Sequence, residues 1–404
     1  MRISIFGLGY VGCVAAAVLS QKNKIIGVDV NPVKVDLINK GKSPIIEKSI
    51  EELMKKGLGK KMLEATTDEK FALMNTDASI ICVGTPSNDD GSHNLGYLNQ
   101  VMTKISEVLK KKKKYHLVII RSTIPPGTSE ELMKKYFKNM NMGLCFNPEF
   151  LREGVAVEDY LNPPFTVVAC SDSKAEKIMR ELYKDVNAEF IVVSFKEAEI
   201  IKILCNVFHA LKVVFGNEVG RFCEAYGMDG KRVMQILCRD KKLNISDKYL
   251  IPGFAFGGSC LPKDLRSFEY MAKEKNIQMP VIFNIEESNE KHITSAIKRI
   301  ESLKSKKLGF IGLSFKSGTD DLRESPYVRL VEYFIGKGYS IKIYDENVSL
   351  AKLFGSNKTY IEKEIPHISS LLVSDLNELD KCDIIVLNRD IDKKFKAEYI
   401  IDLR

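Results

Sequence analysis

The sequence lacks the cysteine pairings that build disulfide frameworks and zinc sites. It has nine cysteines, an odd number, and none of them forms a C-x-x-C pair. Several lie inside apolar runs, as Cys82, Cys170 and Cys205 do. This usage favours reduced thiols in a cytoplasm over a disulfide-stabilised or zinc-binding protein. We therefore expect a cytoplasmic protein without a bound metal.

Long apolar runs and dense charge of one sign are also scarce. No uninterrupted apolar segment is long enough to span a bilayer, and three glycines break the apolar stretch that follows Arg2. The net charge of +8 is spread along the chain, apart from a lysine run at 110–114 without interleaved aromatic residues. We interpret that run as a solvent-exposed helix end rather than a nucleic-acid contact. We expect no membrane or nucleic-acid partner, and the positive balance suits an anionic small-molecule substrate.

The first thirty residues of this 404-residue chain carry a dinucleotide-binding pattern. A short buried strand leads into the glycine motif at 7–12, an alanine-rich helix follows, and the next strand ends at Asp29. The glycines admit a pyrophosphate to the helix N-terminus, and the acid binds the ribose hydroxyls. Since Asp29 repels a 2′-phosphate and no arginine follows it, we expect NAD rather than NADP. The cofactor-binding residues expected here are Gly7, Gly9, Tyr10, Val11, Gly12, Asp29 and Lys34.

Two threonines follow later strand patterns, which lie at 78–84 and 117–120. Thr85 and Thr123 come just after these strands, and the carboxyl ends of strands line the ligand crevice of a doubly wound sheet. We expect both threonines to contact cofactor or substrate; ordinary turn chemistry is the alternative. Further strands, predicted at 166–169 and 190–193, close this domain.

An acidic segment follows the strand at 143–146. If 147–154 forms one helical turn, Glu149 and Glu153 share a face as a candidate acid–base pair. A solvated turn in which these acids pair with Arg152 is the alternative.

A long helix is predicted from 195 to about 226. Its residues Lys202, Asn206, His209, Val213 and Asn217 fall on one stripe at helical spacing, between apolar neighbours. A polar stripe on an apolar helix suggests a ligand site, although a lone His209 would more often be a satisfied core histidine. A helix of this length usually bridges domains or forms an oligomer core.

The segment at 252–264 places Cys260 after Gly257, Gly258 and Ser259, with Lys263 and Asp264 close behind. A cysteine beside a cation and backbone N–H groups tends toward the nucleophilic thiolate. The alternative is a surface loop with an inert, buried cysteine.

A second α/β unit starts with a strand at 307–313, and further strands are predicted at 341–344 and 384–387. Its degenerate glycine loop contains Lys316 and Arg323, so phosphate is the expected ligand unless both charges are simply solvated. The predicted fold class is therefore α/β, with two Rossmann-like doubly wound domains joined by a long central helix. We expect an NAD-binding domain at 1–195, a central helical dimerisation region with the cysteine loop at 196–300, and a nucleotide-sugar-binding domain at 301–404.

Together these motifs resemble the nucleotide-sugar 6-dehydrogenase family over essentially the whole chain. The resemblance lies in G-F-A-F-G-G-S-C-L-P-K-D, N-P-E-F-L-R-E, the Lys202/Asn206 helix and L-S-F-K-S-G-T-D-D-L-R-E-S-P. The stretches at 205–218, 240–246 and 365–376 are most similar to the branch that oxidises GDP-mannose, and the UDP-glucose branch is the near alternative.

The resemblance implies a sugar alcohol oxidised twice to a carboxylate, with two NAD reduced in turn. Cys260 would be the nucleophile, Lys202 and Asn206 would donate to the substrate oxygen, and Asp264 would orient the hydrolytic water. Glu153 and a water near Thr123 would assist the first proton transfer. The resemblance adds Thr85, Thr123, Lys263 and Arg323 to the cofactor site. It implies these substrate-binding residues: Glu149, Phe150, Leu151, Glu153, Lys202, Asn206, His209, Asn217, Tyr249, Phe254, Gly257 and Lys316.

The resemblance also implies a homodimer through the central helix. Two other functions stay open from the residues alone. A single-oxidation hydroxyacid dehydrogenase would share the glycine motif and long helix but would not need Cys260. A non-catalytic NAD sensor would be expected to lack Cys260 or Lys202.

Overall fold

A computed structural model describes residues 1–138, 140–152, 154–246, 249, 253–258, 260–314, 322–346, 348 and 368–403. The chain divides into two compact units, Met1–His209 and Ala210–Arg404. The boundary between them falls within one helix, Phe195–Ala225.

The first unit alternates strands and helices, and its last helix continues into the second unit. Its strands are β1 Arg2–Phe6, β2 Lys24–Val28, β3 Leu63–Thr66, β4 Ala78–Ile81, β5 His116–Ile120, β6 Met142–Phe146, β7 Phe165–Cys170 and β8 Glu189–Val192. Its helices are α1 Tyr10–Leu19, α2 Pro32–Asn39, α3 Ile50–Gly59, α4 Glu69–Asn75, α5 Gly96–Leu109, α6 Thr128–Tyr136, α7 Ala156–Leu161, α8 Ser173–Leu182 and α9 Phe195–Ala225.

The strands of the first unit form one sheet in the order β3-β2-β1-β4-β5-β6-β7-β8. The first six strands follow the dinucleotide-binding order 3-2-1-4-5-6, whose reversal point lies between β1 and β4. All pairings are parallel except that of β6 with β7. Ligands bind at such a reversal point, so this topology places a cofactor crevice beyond the carboxyl ends of β1 and β4.

Helices cover both faces of this sheet, which explains the nearly continuous apolar runs in its strands. Successive strand residues enter separate clusters: Ile5 and Ile119 pack in one core, Phe6 and Ile120 in the other. The carboxyl ends of the central strands are therefore held between two buried layers.

The second unit continues α9 and ends in a smaller parallel sheet. Its helices are α10 Gly230–Leu237, α11 Leu261–Glu274, α12 Pro280–Phe283, α13 Ile285–Glu301, α14 Pro326–Gly336 and α15 Ile368–Leu371. Its strands are β9 Lys307–Ile311, β10 Ser340–Tyr344, β11 Ile384–Leu387 and β12 Tyr399–Asp402, paired in the order β10-β9-β11-β12. The predicted fold class, with two Rossmann-like units and a long central helix, is confirmed.

In both units the first strand ends in the same turn, a glycine with positive φ followed by a backbone N–H that donates to an aspartate. Gly7 after β1 and Gly312 after β9 have φ of +89° and +86°, which only glycine adopts readily. The next residue donates its N–H to an aspartate that follows the neighbouring strand: Leu8 to Asp29 and Leu313 to Asp345, each at 2.8 Å. The second unit is therefore a Rossmann unit in its hydrogen bonding as well as its topology.

One sequence expectation was wrong. Residues 147–152 form no helical turn, because Asn147 is drawn into the core, where its side chain accepts from Arg121 and donates to the carbonyl of Val167. The lysine run at 110–114 follows the end of α5 and is exposed, as predicted, except at Lys112, which is partly buried. Lys112 folds back and donates to the carbonyls of Leu73 and Thr76, at the end of α4.

The predicted domain boundaries at 195 and 300 stay a prediction. In the part of the chain that the structure describes, no helix is both long and apolar enough to cross a membrane.

Candidate active site

The first unit has a cleft of about 490 Å³ at the carboxyl ends of β1, β2 and β4. It lies at the reversal point of the sheet, where a dinucleotide is expected. Four of the predicted cofactor residues line it: Gly7, Gly9, Asp29 and Lys34.

The glycines of this cleft fit the pyrophosphate of NAD. A Cβ on Gly12 would lie 1.9 Å from the carbonyl oxygen of Gly7, so α1 packs against the turn only because residue 12 has no side chain. A Cβ on Gly9 would meet nothing within 4 Å, which leaves room at the N-terminus of α1 for a ligand. That terminus offers backbone N–H groups and the positive end of the helix dipole to a phosphate.

Asp29 both shapes the turn and faces the cofactor cleft. Its carboxylate accepts from the N–H groups of Leu8 at 2.8 Å and Asn31 at 2.9 Å, and Lys34 lies 3.5 Å away. The acid is thus fixed in position before any ribose arrives. Asp29 and the open helix N-terminus together fit NAD.

Tyr10, Val11 and Gly12 do not line the cleft; Tyr10, at the start of α1, instead contacts the segment that follows β6. The Tyr10 hydroxyl donates to the Glu47 carboxylate, and the N–H of Gly154 donates to both groups. Burial works to raise the pKa of Glu47, but the hydrogen bonds from Tyr10 and from the N–H groups of Ala156 and Gly154 outweigh it and lower that pKa. Nothing in the sequence marks Glu47, whose partners are distant along the chain.

The two strand-end threonines contact each other, and their predicted contact with cofactor or substrate stays a prediction. The Thr85 hydroxyl donates to the carbonyl of Thr123 at 2.6 Å, and Ser122 donates in the same way to the carbonyl of Val83. These bonds hold the segments after β4 and β5 side by side at the ligand edge. Neither threonine lines the cleft itself.

Sequence reasoning missed several cleft residues on α5, namely Tyr97, Gln100, Val101 and Lys104. Their spacing of three and four places them on one helical face, so the periodicity of α5 was an available signal. Thr67 and Glu69, beyond the end of β3, also line the cleft and carry no motif.

Lys202 on α9 forms a nearly buried ion pair with Glu149. Its Nζ lies 2.9 Å from Glu149 Oε1, with side chains 9% and 13% exposed. The other oxygen of Glu149 accepts from the N–H of Leu151 at 2.8 Å, and the Phe150 ring centre lies 5.7 Å from Nζ. The structure thus brings together four residues predicted to bind substrate.

The rest of the predicted polar stripe on α9 differs from expectation. Asn206, His209, Val213 and Asn217 are exposed, but so are the apolar neighbours Leu204, Leu211 and Val214. The helix therefore has no polar face set apart from a buried one over this span.

Cys260 lies at the N-cap of α11, in the second unit, with its side chain exposed. A helix N-terminus presents N–H groups and partial positive charge, which stabilise an anion such as a thiolate. The cysteine predicted to be reactive is therefore neither buried nor placed in hydrocarbon.

The loop before Cys260 is clamped on both sides. Asn289 on α13 accepts from the N–H of Phe256 at 2.9 Å and donates to its carbonyl at 3.0 Å. The N–H of Gly258 donates to the carbonyl of Arg323 at 3.1 Å, and a Cβ on Gly257 would lie 2.2 Å from the Glu324 carbonyl oxygen. The ring of Phe254, which starts the loop, packs 5.0 Å from that of Tyr327. These contacts fix the backbone that presents the sulfur.

Lys263 and Asp264 pair with each other at 2.7 Å, and both are largely exposed. The hydrogen bond from Lys263 to Asp264 is the main cause that raises the pKa of Lys263, and the charge of Cys260 contributes less. Lys263 therefore has the neighbouring carboxylate as its main partner, not the sulfur. Tyr249, another predicted substrate contact, is exposed with φ of +63°. Glu153, Ser259 and Lys316 lie outside the described residues.

Comparison with known proteins decides the family. Models of the UDP-glucose/GDP-mannose dehydrogenase family match in order: its NAD binding domain at 1–187, its central domain at 196–291 and its UDP binding domain at 309–404. The chain belongs to this family.

Individual relatives cover nearly the full chain. A GDP-mannose 6-dehydrogenase from Pseudomonas aeruginosa is 47% identical over 396 residues, 96% of this chain and 91% of that protein. A UDP-glucose 6-dehydrogenase from Rickettsia bellii is 31% identical over an alignment of 426 residues, gaps included, which covers 100% of this chain and 95% of that protein. A crystal structure of a ternary complex of GDP-mannose dehydrogenase from Pseudomonas aeruginosa matches with a TM-score of 0.95 at 45% identity, covering 100% of this chain and 96% of that one.

Membership of the UDP-glucose/GDP-mannose dehydrogenase family confirms the predictions of an NAD-dependent dehydrogenase and of NAD as its cofactor. The roles of the individual site residues stay predictions. Among the residues with described placement, no three His, Cys, Asp or Glu side chains gather as a metal site would require.

Proposed function

We propose that the chain oxidises the C6 alcohol of the mannose in GDP-mannose to the carboxylate, with NAD, through a thioester on Cys260. The observation that carries the proposal is the identity of 47% to a GDP-mannose 6-dehydrogenase against 31% to a UDP-glucose 6-dehydrogenase, each over nearly the full chain. The exposed Cys260 at a helix N-terminus supports the thioester, since a single oxidation needs no nucleophile.

Lys202 and Asn206 are the proposed donors to the reacting oxygen. In the first oxidation the alcohol loses its proton, and Glu153 with a water held near Thr123 receives it. Lys202 is held in place by its ion pair with Glu149, and a fixed cation stabilises the negative charge that develops on the substrate oxygen. The chemistry that NAD supplies when bound is acceptance of a hydride, once for each oxidation.

Cys260 acts on the aldehyde product of the first oxidation. Its thiolate adds to the carbonyl carbon and forms a C–S bond, and the thiohemiacetal oxygen takes up hydrogen bonds from Lys202 and Asn206. This adduct is oxidised to a thioester. Water oriented by Asp264 then breaks the C–S bond and returns the thiol. In sum, one alcohol, one water and two NAD give one carboxylate, two NADH and three protons.

The decisive experiment counts NADH per sugar with GDP-mannose and with UDP-glucose. We expect two NADH per GDP-mannose and slower turnover of UDP-glucose. One NADH per sugar would refute the double oxidation, and preference for UDP-glucose would refute the proposed substrate.

A cysteine comparison isolates the nucleophile. Cys260→Ser should make no carboxylate product, whereas Cys238→Ser, a partly buried cysteine elsewhere in the second unit, should keep wild-type activity. Full carboxylate production by Cys260→Ser would contradict the thioester.

We also propose a homodimer formed through α9. Exposed apolar side chains on this helix include Leu204, Val207, Leu211 and Val214, which recur at helical spacing as one stripe. A second copy of the chain would bury this stripe. Light scattering should give twice the mass of 45.6 kDa. Leu211→Glu should shift the mass toward the monomer, while Tyr270→Glu, at an exposed site on α11, should not; a monomeric wild type would refute the dimer.

A further inference from the structure

Glu199 on α9 is a fully buried carboxylate, 0% exposed, that neither the motifs nor the proposed mechanism uses. Its two oxygens accept from the backbone N–H groups of Gly127 at 2.5 Å and Ser129 at 2.8 Å. A buried carboxylate is costly unless both oxygens are satisfied, so this one is committed to its partners.

Those partners are at the start of α6, whose own sequence provides no cap. Gly127 occupies the N-cap position with φ of +94°, and it has no side chain to accept from the first turn. Glu199 supplies the missing acceptor from another helix, and its charge suits the positive end of the α6 dipole. The start of α6 is therefore fixed from α9 rather than locally.

The segment held in this way is the one that contains Thr123. It runs from the end of β5 to α6, and it is also held by the hydrogen bonds from Thr85 to the Thr123 carbonyl and from Ser122 to the Val83 carbonyl. Lys202 follows Glu199 by three residues on α9, so the two lie on neighbouring parts of one helical face. One turn of α9 thus binds the segment after β5 through Glu199 and the segment after β6 through Lys202 and Glu149.

We propose that Glu199 is a positioning residue, which sets the placement of Thr123 relative to Lys202 for the first proton and hydride transfer. This role rests on the proposed function, because it assumes that Thr123 and Lys202 act on the sugar alcohol. A shift of about 1 Å between such groups lowers the rate about 100-fold without removing any of them.

The experiment compares Glu199→Gln with Glu218→Gln in the wild-type background. Glu218 is the matched control: it is 1% exposed, lies on the same helix and accepts from the N–H groups of Val281 and Ile282 at the start of α12. Each change removes a buried charge from a helix N-terminus, so each should lower thermal stability. Glutamine keeps one acceptor but turns an NH2 group toward the second N–H.

The readout is turnover of GDP-mannose with hydrogen or deuterium at C6. For Glu199→Gln we expect kcat to fall about 10- to 100-fold. KM should change little, and the isotope effect on kcat/KM should rise as hydride transfer becomes limiting. Glu218→Gln should keep the wild-type isotope effect and KM. A merely structural role would lower kcat with the folded fraction and leave the isotope effect unchanged.

Three results would overturn the proposal. They are an unchanged isotope effect in Glu199→Gln, an equal rise in Glu218→Gln, or full activity in both. If Glu199→Gln fails to fold, Glu199→Asp keeps the charge but is one methylene too short for both N–H groups, and the same isotope test applies. A wild-type chain inactive on GDP-mannose would refute the proposed function itself, a distinct outcome that removes this role as well.

Discussion

From the ion pair of Lys202 and Glu149 we predict separate effects of mutation on stability and on catalytic activity. In Lys202→Met the Glu149 carboxylate stays nearly buried and loses its cation. Removing one partner of a buried pair costs about 3–5 kcal/mol. Since Glu149 keeps its bond from the N–H of Leu151, we expect the lower end, about 3 kcal/mol. For a unit of this size that corresponds to a melting temperature about 6–12 °C lower.

Neutralising the orphaned acid should recover much of this loss. The double variant Lys202→Met/Glu149→Gln should be about 2 kcal/mol more stable than Lys202→Met, because a neutral amide is cheaper to bury than a carboxylate. Activity should not return, since Lys202 is the proposed donor to the substrate oxygen. Differential scanning calorimetry and NADH formation, measured on the same samples, report the two effects separately.

Lys196 supplies the control on the same helix. It lies 3.8 Å from Glu130, and both side chains are well exposed. Lys196→Met should therefore change stability by less than about 0.5 kcal/mol. The reasoning fails if Lys196→Met and Lys202→Met destabilise equally, or if Glu149→Gln gives no recovery.

Two further predictions concern the first unit. Burial, and secondarily the charge of Lys112, lowers the pKa of His116 from 6.5 to about 3. Below pH 6.5 the unfolded chain therefore takes up a proton at this histidine that the folded chain does not, and the protein loses stability as the pH falls from 6.5 toward 3. Between pH 8 and pH 5 the free energy of unfolding, measured by urea titration, should fall by about 2 kcal/mol through this group, and His116→Gln should lack this fall. An equal pH dependence in the wild type and in His116→Gln would contradict the prediction. Gly12→Ala should abolish NAD binding in calorimetry, because its methyl group would overlap the Gly7 carbonyl, whereas Gly59→Ala, which meets nothing within 4 Å, should bind normally.

Local patterns were sufficient for the parts of the fold whose geometry is local. The glycines at 7–12 and Asp29 predict a strand, turn, helix and strand because each residue type is required by the backbone at that point. The long helix at 195–225 follows from its periodicity in the same way. The placement of Cys260 at a helix start agrees with the proline and charges that follow it.

The failures have one physical cause, which is contact between residues distant in sequence. The spacing of Glu149 and Glu153 favours a helical turn, but Asn147 is held by Arg121, which follows β5, and by Val167 on β7. The following Pro148 also disfavours helical backbone at that point. In the sequence Glu199 is one more charge on a helix. Only the structure shows that it accepts from Ser129 at the start of α6, 70 residues earlier along the chain. Single-sequence patterns contain no information on such partners.

The hydrogen bond from leucine to aspartate that both units share, Leu8 to Asp29 and Leu313 to Asp345, leads to a prediction of how many NAD molecules one chain binds. The side chain of Asp29 is 9% exposed and faces the cleft, and the Lys34 Nζ lies 3.5 Å from its carboxylate, a long distance for an ion pair. The side chain of its counterpart Asp345 is 0% exposed; it accepts from the N–H of Leu313 and pairs with Arg389 at 2.5 Å. A carboxylate paired with a nearly buried arginine is not available to a ribose, so the second unit should not bind NAD as the first does.

We therefore expect calorimetry to find one NAD per chain, with both oxidations of the proposed reaction using the same cleft in succession. Asp29→Asn should weaken this binding by removing the charge that orients the ribose hydroxyls. Asp345→Asn should lower stability, because Arg389 would stay nearly buried without its partner, and should leave NAD affinity unchanged. Two equivalent NAD sites per chain, or weaker NAD binding in Asp345→Asn than in Asp29→Asn, would show that the pairing with Arg389 does not close the second site.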